Sequence, residues 1–104
     1  MILYGLKNCD TCRKAVKALP DAQLRDVSVT PVPPDILRRA YAQFGDALVN
    51  KQSTTWRGLD ADERDQDART LLSAYPKLMK RPLIVNGYAL HLGWSAATQS
   101  KLGI

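Results

Sequence analysis

Strand-forming sequence is confined to the two ends of this chain. Met1-Ile2-Leu3-Tyr4-Gly5 opens as a short apolar run, and Leu24 to Val29 follows with Leu24, Val27 and Val29 unevenly spaced. No further strand signal occurs until Leu83-Ile84-Val85 and Tyr88-Ala89-Leu90-His91-Leu92. Runs this short gain little stability as isolated pairs and need a common sheet with a buried face. The sheet therefore has to be assembled from both ends of the polypeptide, and residues 31–79 have to be accommodated as an insertion between its second and third strands.

Helix signals fill the remaining space. Thr11 to Leu19 carries apolar residues at Ala15, Val16, Ala18 and Leu19 and ends at Pro20-Asp21. Pro33 and Pro34 suit a helix start, where a missing N–H is harmless. Ile36, Leu37, Ala40, Tyr41 and Phe44 then recur with a 3.6-residue period, and Gly45 stops them. Residues 47–50 predict a short helical turn, and 52–57 form a polar, hydroxyl-rich stretch around Trp56. Asp60 is placed to cap a helix with acidic residues in its first turn, running through Ala68, Leu71 and Leu72 to Tyr75. Residues 76–79 read as another short turn. Asn86-Gly87 is a strong two-residue hairpin signal between the last two strands, and Ser95 caps a final helix through Lys101.

The order is β-α-β, a helical block, then β-β-α. A right-handed crossover pairs the first two strands in parallel, and the hairpin adds antiparallel strands. The expectation is an α/β protein with one mixed four-stranded sheet. Residues 1–30 and 80–104 form its thioredoxin-like core, and 31–79 the helical insertion. At 104 residues and 45% hydrophobic the chain reads as one domain that folds without disulfide staples.

A net charge of +5 permits acidic partners. The cations are dispersed, however: Lys14 and Lys17, Arg38 and Arg39, then Lys77, Lys80 and Arg81, with no block of five. That pattern reads as a solvated basic surface rather than a nucleic-acid footprint. No apolar run is long enough to span a bilayer, and Lys7, Cys9 and Asp10 arrive before a signal-peptide core could form. The expected location is the cytoplasm, where thiols are kept reduced.

The two cysteines stand at Cys9 and Cys12, in Asn8-Cys9-Asp10-Thr11-Cys12-Arg13-Lys14. Cys9 falls in the loop after the first strand and Cys12 in the first turn of the helix. N–H groups at a helix start are unpaired and carry partial positive charge, which favours a thiolate. Arg13 and Lys14 add charge nearby. Cys9 is the candidate nucleophile, and Cys12 is placed to resolve a mixed disulfide. The polar neighbours Asn8, Asp10, Thr11 and Arg13 argue against two inert core cysteines. A zinc site is not expected, because His91 is the only histidine and no second cysteine pair exists. Arg81-Pro82 stands just before the third strand, where proline is tolerated. Arg81 is a candidate to hold a thiolate, a carboxylate or an oxyanion there.

Taken in order, several of these motifs resemble the arsenate reductase/Spx family, and within it the small YffB-type branch. They are Cys-x-x-Cys-Arg-Lys-Ala after the first strand, Thr-Pro-Val-Pro-Pro around residue 31, Thr-Thr-Trp-Arg within 51–57, and Lys-Arg-Pro-Leu-Ile-Val at 80–85. The resemblance spans essentially the whole chain and implies a thioredoxin-like fold with a helical insertion. It implies that Cys9 is the catalytic cysteine and that Arg81 is the arginine preceding a proline, Pro82, that faces it and is cis in such folds. It implies no bound cofactor, with glutathione as cosubstrate and a small thiol or disulfide as substrate. Arg13, Lys51, Arg81 and Pro82 are then the candidate substrate and glutathione contacts. The glutaredoxin-coupled arsenate reductases use two further arginines. The corresponding positions fall near Asn50, beside Lys51, and near Gly93, and neither is an arginine. A clamp reduced from three guanidiniums to one holds a multiply charged oxyanion poorly. The resemblance therefore points to glutathione-linked thiol reduction ahead of arsenate reduction with glutaredoxin as partner. Spx-type members use the cysteine pair as a redox switch and bind RNA polymerase, which is the alternative from another class.

Other residues carry blander readings. Trp56 and Trp94 suit half-buried edges, Ser53, Thr54 and Thr55 a capped turn, His91 a structural strand position, and Arg38-Arg39 the solvent face of a helix.

Overall fold

The computed structural model describes all 104 residues. They divide into two compact units, residues 1–30 with 81–104, and residues 31–80. The first unit holds β1 (Ile2–Gly5), α1 (Asp10–Ala18), β2 (Gln23–Asp26), β3 (Leu83–Asn86), β4 (Ala89–Leu92) and α6 (Ala96–Lys101). The second holds α2 (Pro34–Phe44), α3 (Thr54–Arg57), α4 (Ala61–Arg64) and α5 (Ala68–Ala74), with 3₁₀ turns at Gly45–Leu48 and Pro76–Leu78. No helix is long and apolar enough to cross a membrane.

The sheet runs in the order β2-β1-β3-β4. β1 pairs in parallel with β2, Leu3 opposite Leu24 and Gly5 opposite Asp26. On its other edge it pairs antiparallel with β3, Leu3 opposite Ile84 and Tyr4 opposite Leu83. β3 and β4 complete the mixed sheet as an antiparallel hairpin. Because side chains alternate between faces, this register puts Leu3, Leu24 and Ile84 on one side. α1 packs there through Cys12, Ala15 and Leu19, with Val16, Trp94 and Leu102 closing the cluster. Cys12, Ala15, Val16 and Leu19 follow the i, i+3, i+4, i+7 spacing of a helical stripe. Pro20 then ends the helix. Tyr4 and Leu83 are buried on the opposite face.

Three elements depart from the sequence expectation. The second strand ends at Asp26 rather than continuing to Val29. The Asp26 carboxylate accepts hydrogen bonds from the Ser28 N–H (2.9 Å) and hydroxyl, and the Val29 and Thr30 N–H groups turn back to the Asp26 carbonyl. This Asx-type turn buries Val27 and leaves Val29 exposed. The long helix expected from residue 60 to 75 is two helices. Asp60 and Glu63 form a reciprocal capping box at the start of α4. Asp67 then caps a new start by accepting from the Arg69 N–H. Tyr75, at the end of α5, donates to Glu63 Oε2 at 2.6 Å and so ties α5 back to α4.

The hairpin loop is shifted by one residue. Asn86 pairs with Ala89, so the two loop residues are Gly87 and Tyr88. Gly87 has φ of 62°, whereas no non-glycine residue has positive φ. A type I′ turn on Asn86-Gly87 requires positive φ at both positions, while glycine alone in first place fits type II′.

Gly5 is the tightest point of the sheet unit. A methyl group there would collide with Cys12 Sγ and crowd the Cys12 Cβ. Gly5→Ala is expected to lower the unfolding free energy by about 1–3 kcal/mol in urea titration. The loss should be smaller in a Cys12→Ala background, since removing the sulfur opens the space the methyl needs.

Candidate active site

The register of β1 decides which residues meet beyond its carboxyl end. β1 and β2, parallel, finish together at Gly5 and Asp26. β3, antiparallel, begins at Leu83 opposite Tyr4, so Arg81-Pro82 enters at the same end of the sheet. The loop of residues 6–9 springs from this point, bordered by Asp26 through β2 and by Arg81 through β3. The carboxyl ends of parallel strands are the usual place for sites in open α/β sheets.

Cys9 is the N-cap residue of α1, with extended backbone, and is half-buried. Its N–H donates to the Leu6 carbonyl at 3.2 Å, and its carbonyl receives the Arg13 N–H at 3.0 Å. The side chain closes no capping hydrogen bond, but the unpaired N–H groups of the first turn act on the sulfur. Partial burial pushes the Cys9 thiol upward. The Cys12 N–H, the Cys12 thiol, the Arg81 guanidinium and the Thr11 N–H outweigh it, so the thiol lies below the ordinary cysteine range.

Cys12 is the opposite case. It is fully buried in the core cluster with Leu3 and Ile84, contrary to the expectation that its polar neighbours would keep it near the surface. Asp10, Thr11 and Arg13 lie on the outer face of α1 and Asn8 in the exposed turn before it, whereas Cys12 begins the inner stripe. Burial, aided by the negative Cys9 sulfur, pushes its thiol up to about 11 against the opposing Leu6 N–H and Arg81. The two thiols are therefore driven apart, one toward thiolate and one toward retained proton.

Arg81 is half-buried and Pro82 fully buried, with a cis peptide bond between them. The Pro82 carbonyl accepts from Gly93 N–H at 2.8 Å, which anchors this corner to the end of β4. Arg13 is engaged elsewhere: its Nε donates to the Lys7 carbonyl at 3.0 Å, and its guanidinium lies 3.9 Å from the Asp10 carboxylate. The cation acting on Cys9 is Arg81. Lys51 belongs to the 31–80 unit, where its ammonium lies over the Trp56 ring, 5.6 Å from the centroid. It lines a hollow of about 590 Å³ with Asn50, Gln52 and Lys80. Arg64 approaches the same indole and donates to the Trp56 and Arg57 carbonyls, which satisfies the last carbonyls of α3. Trp94 packs against the core cluster, and His91 lies opposite Ile84 in the sheet. No three His, Cys, Asp or Glu side chains converge as a metal site.

Three contributors were not legible beforehand: Gly5, the Leu6 N–H that faces the Cys12 sulfur, and Asp26, whose Oδ2 accepts from the Lys7 N–H at 3.1 Å. Asp26 lay within an expected strand. The Asp-x-Ser spacing to Ser28 was the available signal for a turn there.

A mixed sheet with a cysteine pair at the start of its first helix, faced by an Arg-Pro corner, defines a thioredoxin-like thiol protein. The ArsC family model matches residues 4–102, and the chain belongs to that family. An uncharacterized protein of Haemophilus influenzae is 44% identical over 85% of this chain and 86% of its own. Among solved structures, the YffB (PA3664) protein superposes with a TM-score of 0.85 at 30% identity, covering 96% of both chains. An arsenate reductase (ArsC) related protein from Brucella melitensis superposes with a TM-score of 0.71 at 30% identity, covering 96% of this chain and 91% of that one. The fold is that of arsenate reductase-like thiol oxidoreductases.

Replacing Arg81 removes one of the groups that favour the Cys9 thiolate. Arg81→Ala should move the midpoint of the iodoacetamide rate–pH profile of Cys9 to higher pH and slow its alkylation at pH 7. The shift should shrink at high salt, as expected for a partly exposed charge.

Proposed function

We propose that this protein is a glutathione-dependent thiol reductase with Cys9 as nucleophile. The observation that carries the reading is the opposed pair of thiols: Cys9 is favoured as thiolate by the α1 start and Arg81, while buried Cys12 holds its proton. Attack on a glutathione mixed disulfide forms a bond from Cys9 Sγ to the glutathione sulfur and expels the substrate as a thiolate, which takes a proton from solvent. A second glutathione thiolate then attacks the Cys9–glutathione bond. It leaves as oxidised glutathione and restores the Cys9 thiolate. The sum converts one mixed disulfide and one glutathione into one free thiol and one glutathione disulfide.

Burial makes Cys12 a weak attacker, because the thiolate and not the thiol is the nucleophile. Its thiol serves instead as a hydrogen-bond donor to the Cys9 sulfur, and glutathione does the resolving. Arg81 supplies a cation for a glutathione carboxylate. It is the one arginine available from the three that arsenate reduction uses in the glutaredoxin-coupled enzymes, so arsenate is the weaker substrate.

Turnover of a small glutathione mixed disulfide, followed by coupled NADPH oxidation through glutathione reductase, tests this. Cys9→Ser should lower the rate by about a thousandfold or more, while Cys12→Ser should keep a substantial fraction. The kcat/KM for the mixed disulfide, which reports the Cys9 attack alone, should rise as pH climbs through the Cys9 pKa and level off below the ordinary thiol range, because the thiolate is the reactive form. Full activity in Cys9→Ser would refute the assignment. Loss of turnover in Cys12→Ser with Cys9 still rapidly alkylated would make Cys12 the resolver. Arsenate reduction coupled to glutaredoxin should stay near background.

A further inference from the structure

The loop that carries Cys9 is anchored by a residue the chemistry above does not use. Of the loop's backbone groups, Leu6 N–H faces the Cys12 sulfur and Leu6 carbonyl receives the Cys9 N–H. The Leu6–Lys7 peptide is thus held on both sides, because its own N–H, that of Lys7, donates to Asp26 Oδ2 at 3.1 Å, and the Lys7 carbonyl of the following peptide receives Arg13 Nε at 3.0 Å. Asp26 is itself fixed. It ends β2 opposite Gly5, and its other oxygen accepts from the Ser28 N–H and hydroxyl.

We propose that Asp26 is a positioning residue for the Cys9 thiolate: its carboxylate pins the Leu6–Lys7 peptide, whose carbonyl receives the Cys9 N–H, and so sets the loop so that Cys9 caps α1 and faces Arg81 and Cys12. The inference rests on the reading of Cys9 as the reactive thiolate and adds the group that orients it. Asp26 touches neither sulfur, so it acts through the loop alone. Charge alone argues against a direct benefit, since a nearby carboxylate disfavours a second anion. Its value lies in geometry, because the N–H groups of the α1 start favour a sulfur only where the loop places it among them. The Ser28 hydroxyl, followed by the Lys7 and Ser28 N–H groups, holds the Asp26 carboxyl below the usual carboxylate range. The anchor is therefore ionised throughout the range in which Cys9 titrates.

The test compares Asp26→Ala, Asp26→Asn and Ser28→Ala in the full chain by the pH profile of Cys9 alkylation with iodoacetamide, with thermal unfolding recorded alongside. Asp26→Ala should raise the Cys9 midpoint and slow alkylation at pH 7 by about threefold to tenfold. Asp26→Asn keeps one oxygen able to accept from the Lys7 N–H and should fall between Asp26→Ala and the unmodified protein. Ser28→Ala leaves the Lys7 bond in place and should stay within about twofold. Should Asp26→Ala fail to fold, the Asn variant carries the comparison. An unchanged Cys9 profile in both Asp26 variants would overturn the proposal, as would an equal shift in Ser28→Ala, which would mark general loosening. Alkylation needs no disulfide substrate, so failure to turn over glutathione mixed disulfides would sink the reductase reading without touching this result.

Discussion

β1 is hydrogen-bonded along both edges, to β2 in parallel and to β3 in the opposite sense, and the site depends on that double pairing. A strand of four residues, Ile2–Gly5, brings together three chain segments that are remote in sequence. One delivers the cysteine loop, one Asp26, and one Arg81-Pro82. The pairing is specified from within, because Leu3 and Ile84 are fully buried on the face that α1 covers. A slip of one residue in either strand would turn that strand's buried residue outward. Each such buried side chain stabilises the fold by roughly 1.5–3 kcal/mol, so the alignment that forms the core also aligns the site.

The same packing separates the two thiols chemically. One helical turn moves a sulfur from the half-exposed cap of α1 to the interior stripe beneath it. Gly5 permits this, since its missing side chain is the space that Cys12 Sγ occupies. The cap position gathers N–H groups and a guanidinium around Cys9, while the interior withholds solvent from Cys12. Identical side chains thus take opposite protonation preferences from surroundings built by one strand and one helix.

Much of this was legible in the residues. The apolar runs at both ends, the Pro33-Pro34 helix start, the Ser95 cap and the placement of Cys9 before a helix follow from period and capping chemistry, and the fold has each of them. What escaped were places where a polar side chain competes with regular structure. Asp26 turns β2 aside through Ser28, although Val27 and Val29 read as strand. Asp67 starts a new helix after the polar run 62–67, so the apolar period of Ala68, Leu71 and Leu72 belongs to α5 alone. Gly87 takes positive φ alone, which moves the hairpin loop onto Tyr88. In the site, Arg13 looked like the charge that activates Cys9 because it is adjacent in sequence. It turns instead to the Lys7 carbonyl, and the acting guanidinium comes from the far end of the chain. Strand register cannot be read from spacing alone, and it is register that brings Arg81 there.

The sheet order also bears on how the protein is made. A chain synthesised from its amino terminus releases both cysteines and the parallel β1–β2 pair early, with the second edge of β1 empty until β3 and β4 have emerged. Until then Cys12 has no Ile84 to cover it and Cys9 has no Arg81 beside it. Cys9 then has only the α1 start in its favour and Cys12 lacks part of its cover, so their division into a reactive and a guarded thiol is completed when β3 and β4 dock. Reactivity in this molecule is in part a property of the finished sheet, since the guanidinium beside Cys9 and the cover over Cys12 arrive with β3.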